Sequence, residues 1–345
     1  MTSVSAVRVA APTLAEIGVP PFVPKRYLSR GHVMTVYAWA RRRPFPDLPA
    51  PESRLIAISD DTQVLADCYW QPNRSTRPTL MAFHGLEGSS AVHYMRGLAD
   101  KAWRGGWNAV LLNQRNCGGT EHLTPRLYHS GLTDDPKAVI RALQKADGLR
   151  QFAVAGYSLG GNLALKLAGE LSAAPDLGVW AVVAICPTMD LERCVRAIER
   201  RQNIPYEFNF VRNLRGRMRR KSVAWPGSFD LGRLNRIWTI RQFDDTYTAP
   251  HHGFGDAANY YYRASAMRVA DKISVPALIL AAQDDPFVPY EQFSDPAIAS
   301  NPRIRVHVTR HGGHCGFVAE PSGPGDDGYW AETAAVRFLA AVRPD

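Results

Sequence analysis

Ser158 lies between two glycines in the stretch GYSLGGN, a spacing that can hold a serine as a nucleophile. The apolar run QFAVAGY leads into this serine, and the helix-like run LGGNLALKLAGELS follows it. In a tight turn from a strand to a helix, a side chain larger than hydrogen at Gly156 or Gly160 would collide with the neighbouring backbone. The pattern alone is weak evidence, but its position between strand and helix favours a serine that attacks a substrate over an idle turn residue.

A serine hydroxyl is a poor nucleophile at neutral pH, so Ser158 needs a base and a group that orients the base. Two later strand-like runs lead into suitable side chains. The first leads into Asp284 and Asp285, and the second is followed by His311 and His314. Both positions are carboxyl ends of strands, the edge where an open α/β sheet binds its ligand.

We select Asp285 over Asp284 because the Asp-Pro-x-x-Pro turn suits a carboxylate directed back across the sheet edge. We select His314 over His311 because two glycines precede it and let the loop curl toward the serine. In this assignment His314 acts first as base and then as acid, while Asp285 fixes its tautomer. The alternatives are an aspartate that only stabilises a turn and a loop histidine without a role.

The tetrahedral intermediate of acyl transfer needs two backbone N–H donors for its oxyanion. Leu159, the residue after the nucleophile, supplies one, and the loop HGLEGSS offers the N–H of Leu86 as the second. Gly85 and Gly88 let that loop approach a substrate closely. We expect His84 to brace the loop through a hydrogen bond rather than to act as a second base.

Alternating strand-like and helix-like runs must position these groups. RLIAIS and VLADCYW flank a short turn and predict a hairpin. TLMAFHG, WNAVLLNQR, QFAVAGYS, GVWAVVAICP, VPALILAAQDD and RIRVHVTRHGG are further apolar strands, most of them separated by helix-like segments. This alternation predicts an α/β protein with a mostly parallel sheet that is flanked by helices on both faces.

The chain divides into three parts. Residues 1–50 are rich in proline and are expected to form an extended arm that packs on the body. Residues 51–187 and 263–345 carry the alternating pattern and form the core. Residues 188–262 are dense in arginine and aromatic residues without a clear strand, which predicts a basic helical cap or lid inserted before the last two strands.

Composition narrows the class of protein. Hydrophobic residues make up 46% and charged residues 21% of the chain, as in a globular protein with a sizeable core. The five cysteines are odd in number and form no CxxC pair, which argues against a disulfide framework and a structural zinc site. No signal peptide or membrane-spanning run is visible, so we expect a cytoplasmic protein without a transmembrane segment, metal or organic cofactor.

The net charge of +9 raises the question of an anionic partner. Residues 211–221, VRNLRGRMRRK, hold six basic side chains, with apolar residues at spacings of three and four. This pattern predicts an amphipathic, cationic helix in the cap. The helix either contacts an anionic membrane surface or steers acidic substrates, or it is an ordinary cap helix with a solvated basic face.

Four aromatic residues at the end of the cap have two alternative roles. Phe254, Tyr260, Tyr261 and Tyr262 either line a pocket for an acyl chain or belong to the core where the cap rejoins the sheet. No substrate-binding residue is assigned from the sequence.

From about residue 21 to its end, the chain resembles the YheT-like branch of the α/β-hydrolases. Seven stretches carry the resemblance: PFVPKRYLSRGHVMT at 21–35, HGLEGSS at 84–90, NQRNCGGTEHLTPRLYHSGLTDD at 113–135, GYSLGGN at 156–162, HHGFGDAANYYYRAS at 251–265, AQDDPFVP at 282–289 and HGGHCGF at 311–317.

The resemblance implies the α/β-hydrolase fold with a helical cap and esterase or lipase-like activity on carboxylic esters. The family's nucleophile, acid and base fall on Ser158, Asp285 and His314, in agreement with the choice made from the residues themselves. Asn116 stands where the family usually has glycine. From this sequence we expect no counterpart of the membrane anchor of animal relatives.

Three hypotheses of function follow. The first is a serine carboxylesterase that acts on small-molecule or lipid-like esters through an acyl-enzyme, with no nucleic-acid partner. The second is an acyltransferase that uses the same three residues with an alcohol or thiol acceptor. The third is a non-catalytic basic protein that binds membranes or polyanions; such a role does not need the mutual placement of Ser158, Asp285 and His314.

Overall fold

The computed structural model describes residues 10–323 and 325–344, and its centre is one eight-stranded sheet. The strands are β1 (Glu52–Ser59), β2 (Thr62–Tyr69), β3 (Thr79–Phe83), β4 (Asn108–Leu112), β5 (Phe152–Tyr157), β6 (Val179–Ile185), β7 (Ala277–Ala282) and β8 (Ile304–Thr309). Their spatial order is β1-β2-β4-β3-β5-β6-β7-β8. The predicted hairpin is β1 and β2, which pair antiparallel at one edge, and β4, β3 and β5 to β8 run parallel.

Eleven α-helices lie in the part of the chain that the structure describes. They are α1 (Gly31–Ala40), α2 (His93–Arg104), α3 (Asp134–Asp147), α4 (Leu159–Glu170), α5 (Leu191–Ile198), α6 (Ile204–Ala224), α7 (Ile240–Phe243), α8 (Ala249–His251), α9 (Ala257–Ala264), α10 (Pro296–Ala299) and α11 (Trp330–Ala341). A single π-helical segment, Asp244–Thr248, joins α7 to α8.

The central parallel strands are buried on both faces, because helices cover each side of the sheet. Successive residues of β3 illustrate this: Leu80 packs in the same apolar cluster as residues of α2 and α11, while Met81 packs with residues of α3 and α4. Fully buried strands of this kind read as continuous apolar runs, which is how they appear in the sequence. The prediction of a mostly parallel sheet flanked by helices is confirmed.

The region between β6 and β7 contains α5 to α9 and no strand, all of it within the described residues. Val211, Leu214 and Met218 of α6 are buried in the larger apolar cluster, together with residues of the sheet. The predicted helical insertion before the last two strands is therefore present.

The arm is less extended than predicted. Residues 1–9 lie outside the described part, but α1 forms within the segment expected to be extended. Its buried Met34 and Ala38 pack with Val318 and Tyr329, which follow β8. Tertiary packing of one face thus stabilises a helix that lacks a side-chain N-cap and has no strong amphipathic pattern.

Candidate active site

Ser158 occupies a strained turn between β5 and α4. Its φ of 54° and ψ of −116° lie outside the regions that ordinary residues prefer. A Cβ at Gly156 would lie 2.0 Å from the carbonyl oxygen of Gly160, and a Cβ at Gly160 would lie 2.4 Å from that of Phe83. The two flanking glycines are therefore required sterically, as the sequence pattern indicated, and they let the strand, turn and helix close around the serine.

Asp285 holds the imidazole of His314. Its two carboxylate oxygens lie 2.9 and 3.2 Å from Nδ1 of His314, and the Asp285 side chain is only 1% exposed. The backbone N–H groups of Phe287 and Val288 also donate to this carboxylate, at 2.8 and 3.0 Å. Burial opposes a charge on His314, but the Asp285 carboxylate more than offsets this and raises the pKa of His314. An imidazolium formed here during a reaction would be stabilised.

The neighbouring Asp284 shapes the loop that carries His314. It accepts a hydrogen bond from the N–H of Gly313 at 2.9 Å, and its other oxygen lies 3.5 Å from Nδ1 of His311. The loop is also held from the arm, since the N–H of His314 donates to Oγ1 of Thr35 in α1 at 2.9 Å. Asp284 and His311 form a second, more exposed pair that lies outside the contact between Asp285 and His314.

The two backbone N–H groups predicted to bind an oxyanion are free of partners among residues 10–323 and 325–344. Within the described residues, neither the N–H of Leu86 nor that of Leu159 has a hydrogen-bond acceptor. Both residues line one cavity together with Ser158 and His314. The parallel register that pairs the last residue of β3 with Gly156 of β5 brings the two loops to the same level of the sheet.

His84 braces the first of these loops, in keeping with the sequence-based expectation. Its Nδ1 lies 2.8 Å from the carbonyl oxygen of Gly85, and its Nε2 accepts a hydrogen bond from the N–H of Gln114 at 3.1 Å. Complete burial lowers the pKa of His84 to about 4, which keeps the ring neutral. Both ring nitrogens are thus occupied by the backbone, and His84 has no free nitrogen for a substrate.

Two cavities meet at the proposed nucleophile and base. The inner cavity, of about 80 Å³, lies beneath the cap, and the outer cavity, of about 560 Å³, lies between α1, α6 and the loop after β3. Five residues line both: Leu86, Ser158, Phe210, Phe287 and His314. Ser158 therefore borders open space on two sides, one in each cavity.

Three of the four aromatic residues at the end of the cap take one of the two roles left open by the sequence, and Tyr262 takes neither. Tyr260 and Tyr261 line the inner cavity. Phe254 packs against the core cluster without lining that cavity, and Tyr262 is 59% exposed. The inner cavity is otherwise mainly apolar, with leucine, isoleucine, valine and phenylalanine side chains from the cap.

Sequence reasoning missed a buried ion pair between the cap and the loop of Leu86. Arg217 of α6 pairs with Glu87, and the side chains are only 5% and 8% exposed. The guanidinium also lies over the ring of Tyr128, 4.6 Å from its centroid. The spacing of residues in α6 could have indicated that Arg217 is buried. Arg217 lies three positions after Leu214 and one before Met218, on the helical face that carries the apolar residues.

Lys221 belongs to the same buried face. Its ammonium donates to Oδ1 of Asn116 and to the carbonyl oxygens of Glu121 and Thr124. Asn116 itself has a φ of 66°, the left-handed region in which asparagine is one of the few tolerated alternatives to glycine. The departure from the family pattern at this position thus preserves the turn and adds a contact to the cap.

The solvent-exposed basic surface of α6 is therefore smaller than the sequence indicated. Arg217 and Lys221 are buried, and Arg220 pairs with Glu121 at 2.6 Å. In the part of the chain that the structure describes, no helix combines the length and apolarity that crossing a membrane requires.

Comparison with known proteins identifies the family to which this fold belongs. Residues 78–321 match the family model described as the alpha/beta hydrolase fold, and the chain belongs to that family. Within it the chain belongs to the YheT-like group: it is 36% identical over 303 residues to "Putative esterase YheT" of Escherichia coli strain K12, covering 86% of this chain and 87% of that protein.

More distant relatives agree on the class. Phospholipase ABHD3 of Mus musculus is 28% identical over 299 residues, which cover 82% of this chain and 72% of that protein. The solved structure of the esterase Pf2001 of Pyrococcus furiosus is similar with a TM-score of 0.56 and 16% identity, covering 88% of this chain and 96% of the other. The sequence relatives are named as esterases and lipases, which supports a hydrolase, and the structural likeness supports the fold.

Proposed function

We propose that this protein hydrolyses carboxylic esters through an acyl-enzyme on Ser158, with His314 as base and Asp285 as its orienting acid. The observation that supports this most directly is the convergence at one cavity of a strained serine, a histidine held by a buried aspartate and two unpaired N–H groups. Each of these features has a role in acyl transfer, and none is needed to fold a parallel sheet.

The reaction proceeds in two halves. The hydroxyl proton of Ser158 passes to Nε2 of His314 as Oγ attacks the ester carbonyl, and the N–H groups of Leu86 and Leu159 stabilise the oxyanion. The imidazolium, stabilised by Asp285, then protonates the departing alcohol. Water, deprotonated by His314, attacks the acyl-enzyme, and the carboxylic acid leaves with Ser158 regenerated.

We assign the acyl part of the substrate to the inner cavity. Its apolar lining suits a short or medium acyl chain, and the cap side chains that line it shield part of that chain from water. The outer cavity takes the alcohol part, which is less restricted in size. Lipid-like esters fit this division, and the name of the relative Phospholipase ABHD3 points in the same direction.

Transient contact with an anionic lipid surface is a further part of this proposal. Ile204 and Phe208 are more than half exposed, and Arg212, Arg215 and Arg219 continue the same helix α6 with side chains that reach solvent. Co-sedimentation with vesicles of phosphatidylglycerol is expected for the native protein and reduced for Phe208→Ala. Equal sedimentation with neutral phosphatidylcholine vesicles would contradict a role for charge.

The experiment that tests the hydrolase is a series of p-nitrophenyl esters from acetate to palmitate. Native protein, Ser158→Ala and the matched exposed control Ser75→Ala are compared, with circular dichroism to verify the fold. Saturable hydrolysis that Ser158→Ala abolishes and Ser75→Ala retains is the expected result, and the preferred acyl length measures the inner cavity. Equal rates in all three proteins would overturn the proposal.

A further inference from the structure

A second set of reactive atoms lies directly beside His314. The sulfurs of Cys186 and Cys315 and one imidazole nitrogen of His314 all lie within 4.8 Å of one another. Cys186 follows β6, and Cys315 follows the histidine in its loop, so the fold joins two distant parts of the chain here. The N–H of Cys315 also donates to Sγ of Cys186 at 3.3 Å.

Both cysteines have unusual backbone conformations. The φ of Cys186 is 46° and that of Cys315 is 59°, in the left-handed region that costs free energy for residues other than glycine. Glycine at either position would remove this strain, and it would also remove a sulfur. The surrounding structure therefore holds an unusual backbone at both positions, and the two sulfurs lie close to each other and to the histidine.

Two thiols and an imidazole are the ligands that zinc and other thiophilic divalent cations prefer. Around a tetrahedral Zn²⁺, with bonds of about 2.0–2.3 Å, such ligand atoms lie roughly 3.3–3.8 Å apart, so the side chains must draw closer together to hold the ion. Nδ1 of His314 is held by Asp285, which leaves Nε2 to ligate and makes Asp285 the outer carboxylate common around zinc-bound histidines.

A cation can reach this site from the outer cavity, and two thiolates would neutralise its charge. Cys315 lines the outer cavity, while Cys186 is completely buried behind it. Binding of one divalent cation releases the two thiol protons to solvent, so that two thiolates neutralise the metal charge and no net charge is buried. Three protein ligands leave a fourth position for water from the outer cavity.

We propose that Cys186, His314 and Cys315 form a site for a thiophilic divalent cation, Zn²⁺ foremost, whose occupancy inhibits the enzyme. The inhibition rests on the proposed function: the metal takes the Nε2 lone pair that must accept the proton of Ser158. Removal of the metal by a chelator restores that lone pair, so the site is a reversible inhibitory site for metal ions.

The binding test does not depend on activity. Fully reduced Ser158→Ala protein is titrated anaerobically with Co²⁺, which gives a thiolate-to-cobalt charge-transfer band in the near ultraviolet when cysteine sulfur ligates it. The band is expected in Ser158→Ala and in the matched control Ser158→Ala/Cys68→Ala, because Cys68 is a buried cysteine in β2, outside the site. It is expected to be lost in Ser158→Ala/Cys315→Ala, and a band of equal strength in all three would overturn the site.

The inhibition test uses the active protein and Zn²⁺. Hydrolysis by the native enzyme and by Cys68→Ala falls with Zn²⁺ and returns with EDTA. Cys315→Ala, compared with its own metal-free rate, needs at least about 100-fold more Zn²⁺, because loss of a direct ligand costs no less than the roughly 10–100-fold that loss of an outer-shell partner costs. The same inhibition constant in Cys315→Ala would overturn the proposal. A cobalt band in a protein without esterase activity would instead leave the metal site standing and overturn the proposed function.

Discussion

The carboxylate of Glu87 forms a buried ion pair with the guanidinium of Arg217, and this pair joins the loop of Leu86 to the cap helix α6. The hydroxyl of Tyr128 donates to Oε1 of Glu87 at 3.3 Å, which completes a polar cluster within apolar surroundings. Glu87 has a φ of 58° and directly follows Leu86. The cap is therefore a structural support of the proposed oxyanion site as well as a cover for it.

Replacement of Arg217 by methionine is expected to destabilise the protein and slow hydrolysis. The substitution leaves the Glu87 carboxylate buried without its partner, which costs about 3–5 kcal/mol of unfolding free energy. A displaced loop also lowers kcat by about 100-fold. Urea unfolding and steady-state kinetics measure the two effects, with Arg215→Met on the more exposed side of α6 as control.

The double variant Glu87→Gln/Arg217→Met distinguishes the cost of an unpaired buried charge from the cost of lost packing. Because no charge is then left unpaired, part of the lost stability is expected to return. If Arg217→Met alone unfolds at the same urea concentration as the native protein, the pair does not hold the loop.

The two neighbouring aspartates are expected to differ sharply. Asp285→Asn removes the charge that stabilises the imidazolium and lowers kcat by about 10⁴-fold, whereas Asp284→Asn has an effect of less than about tenfold. Since Asp285 raises the pKa of His314, its neutral replacement also shifts the acid limb of the kcat/KM profile to lower pH. A pH-rate profile of both variants measures this, and the reverse ranking would contradict the assignment of the acid.

Stability is expected to fall in mild acid because of buried neutral histidines. Burial lowers the pKa of His84 to about 4 and that of His252 to about 3. Below the unfolded value of about 6.5, the unfolded chain binds protons that the folded chain does not, so each histidine costs about 1.4 kcal/mol per pH unit.

Urea unfolding from pH 7 to pH 5 measures this loss. His252→Gln cannot titrate, so its unfolding free energy is expected to fall less steeply over the same range. Parallel pH dependence in the native protein and in His252→Gln would show that His252 is not buried in its neutral form.

Gly31→Ala is expected to impair both stability and activity. A Cβ at this position would lie 1.8 Å from the backbone carbonyl oxygen of Asp284, so α1 or the loop of His314 must move. The control is Gly216→Ala in the interior of α6, where a Cβ meets only the end of Arg220 at 3.5 Å and helix propensity improves by about 1 kcal/mol. Melting temperature and kcat are measured for both; native behaviour of Gly31→Ala would show that α1 does not position the loop.

The sequence allowed the sheet, the turn of Ser158 and the inserted helices to be predicted because each depends on local periodicity and on glycine spacing. The pairs Glu87–Arg217 and Cys186–Cys315 could not be predicted in the same way, since their members meet only after the chain folds. Residues 211–221 show the limit clearly: their pattern predicted an amphipathic cationic helix, but the burial of Arg217 depends on a partner in another element.

The contact between Thr35 and His314 has a consequence for the growing polypeptide. The two residues are 279 positions apart, so α1 leaves the ribosome long before the loop that it supports. A nascent chain that has already formed the turn of Ser158 still lacks His314, its proposed base, and the loop around that histidine. The proposed active site is consequently assembled late in synthesis, and an incomplete chain without His314 is expected to lack hydrolytic activity.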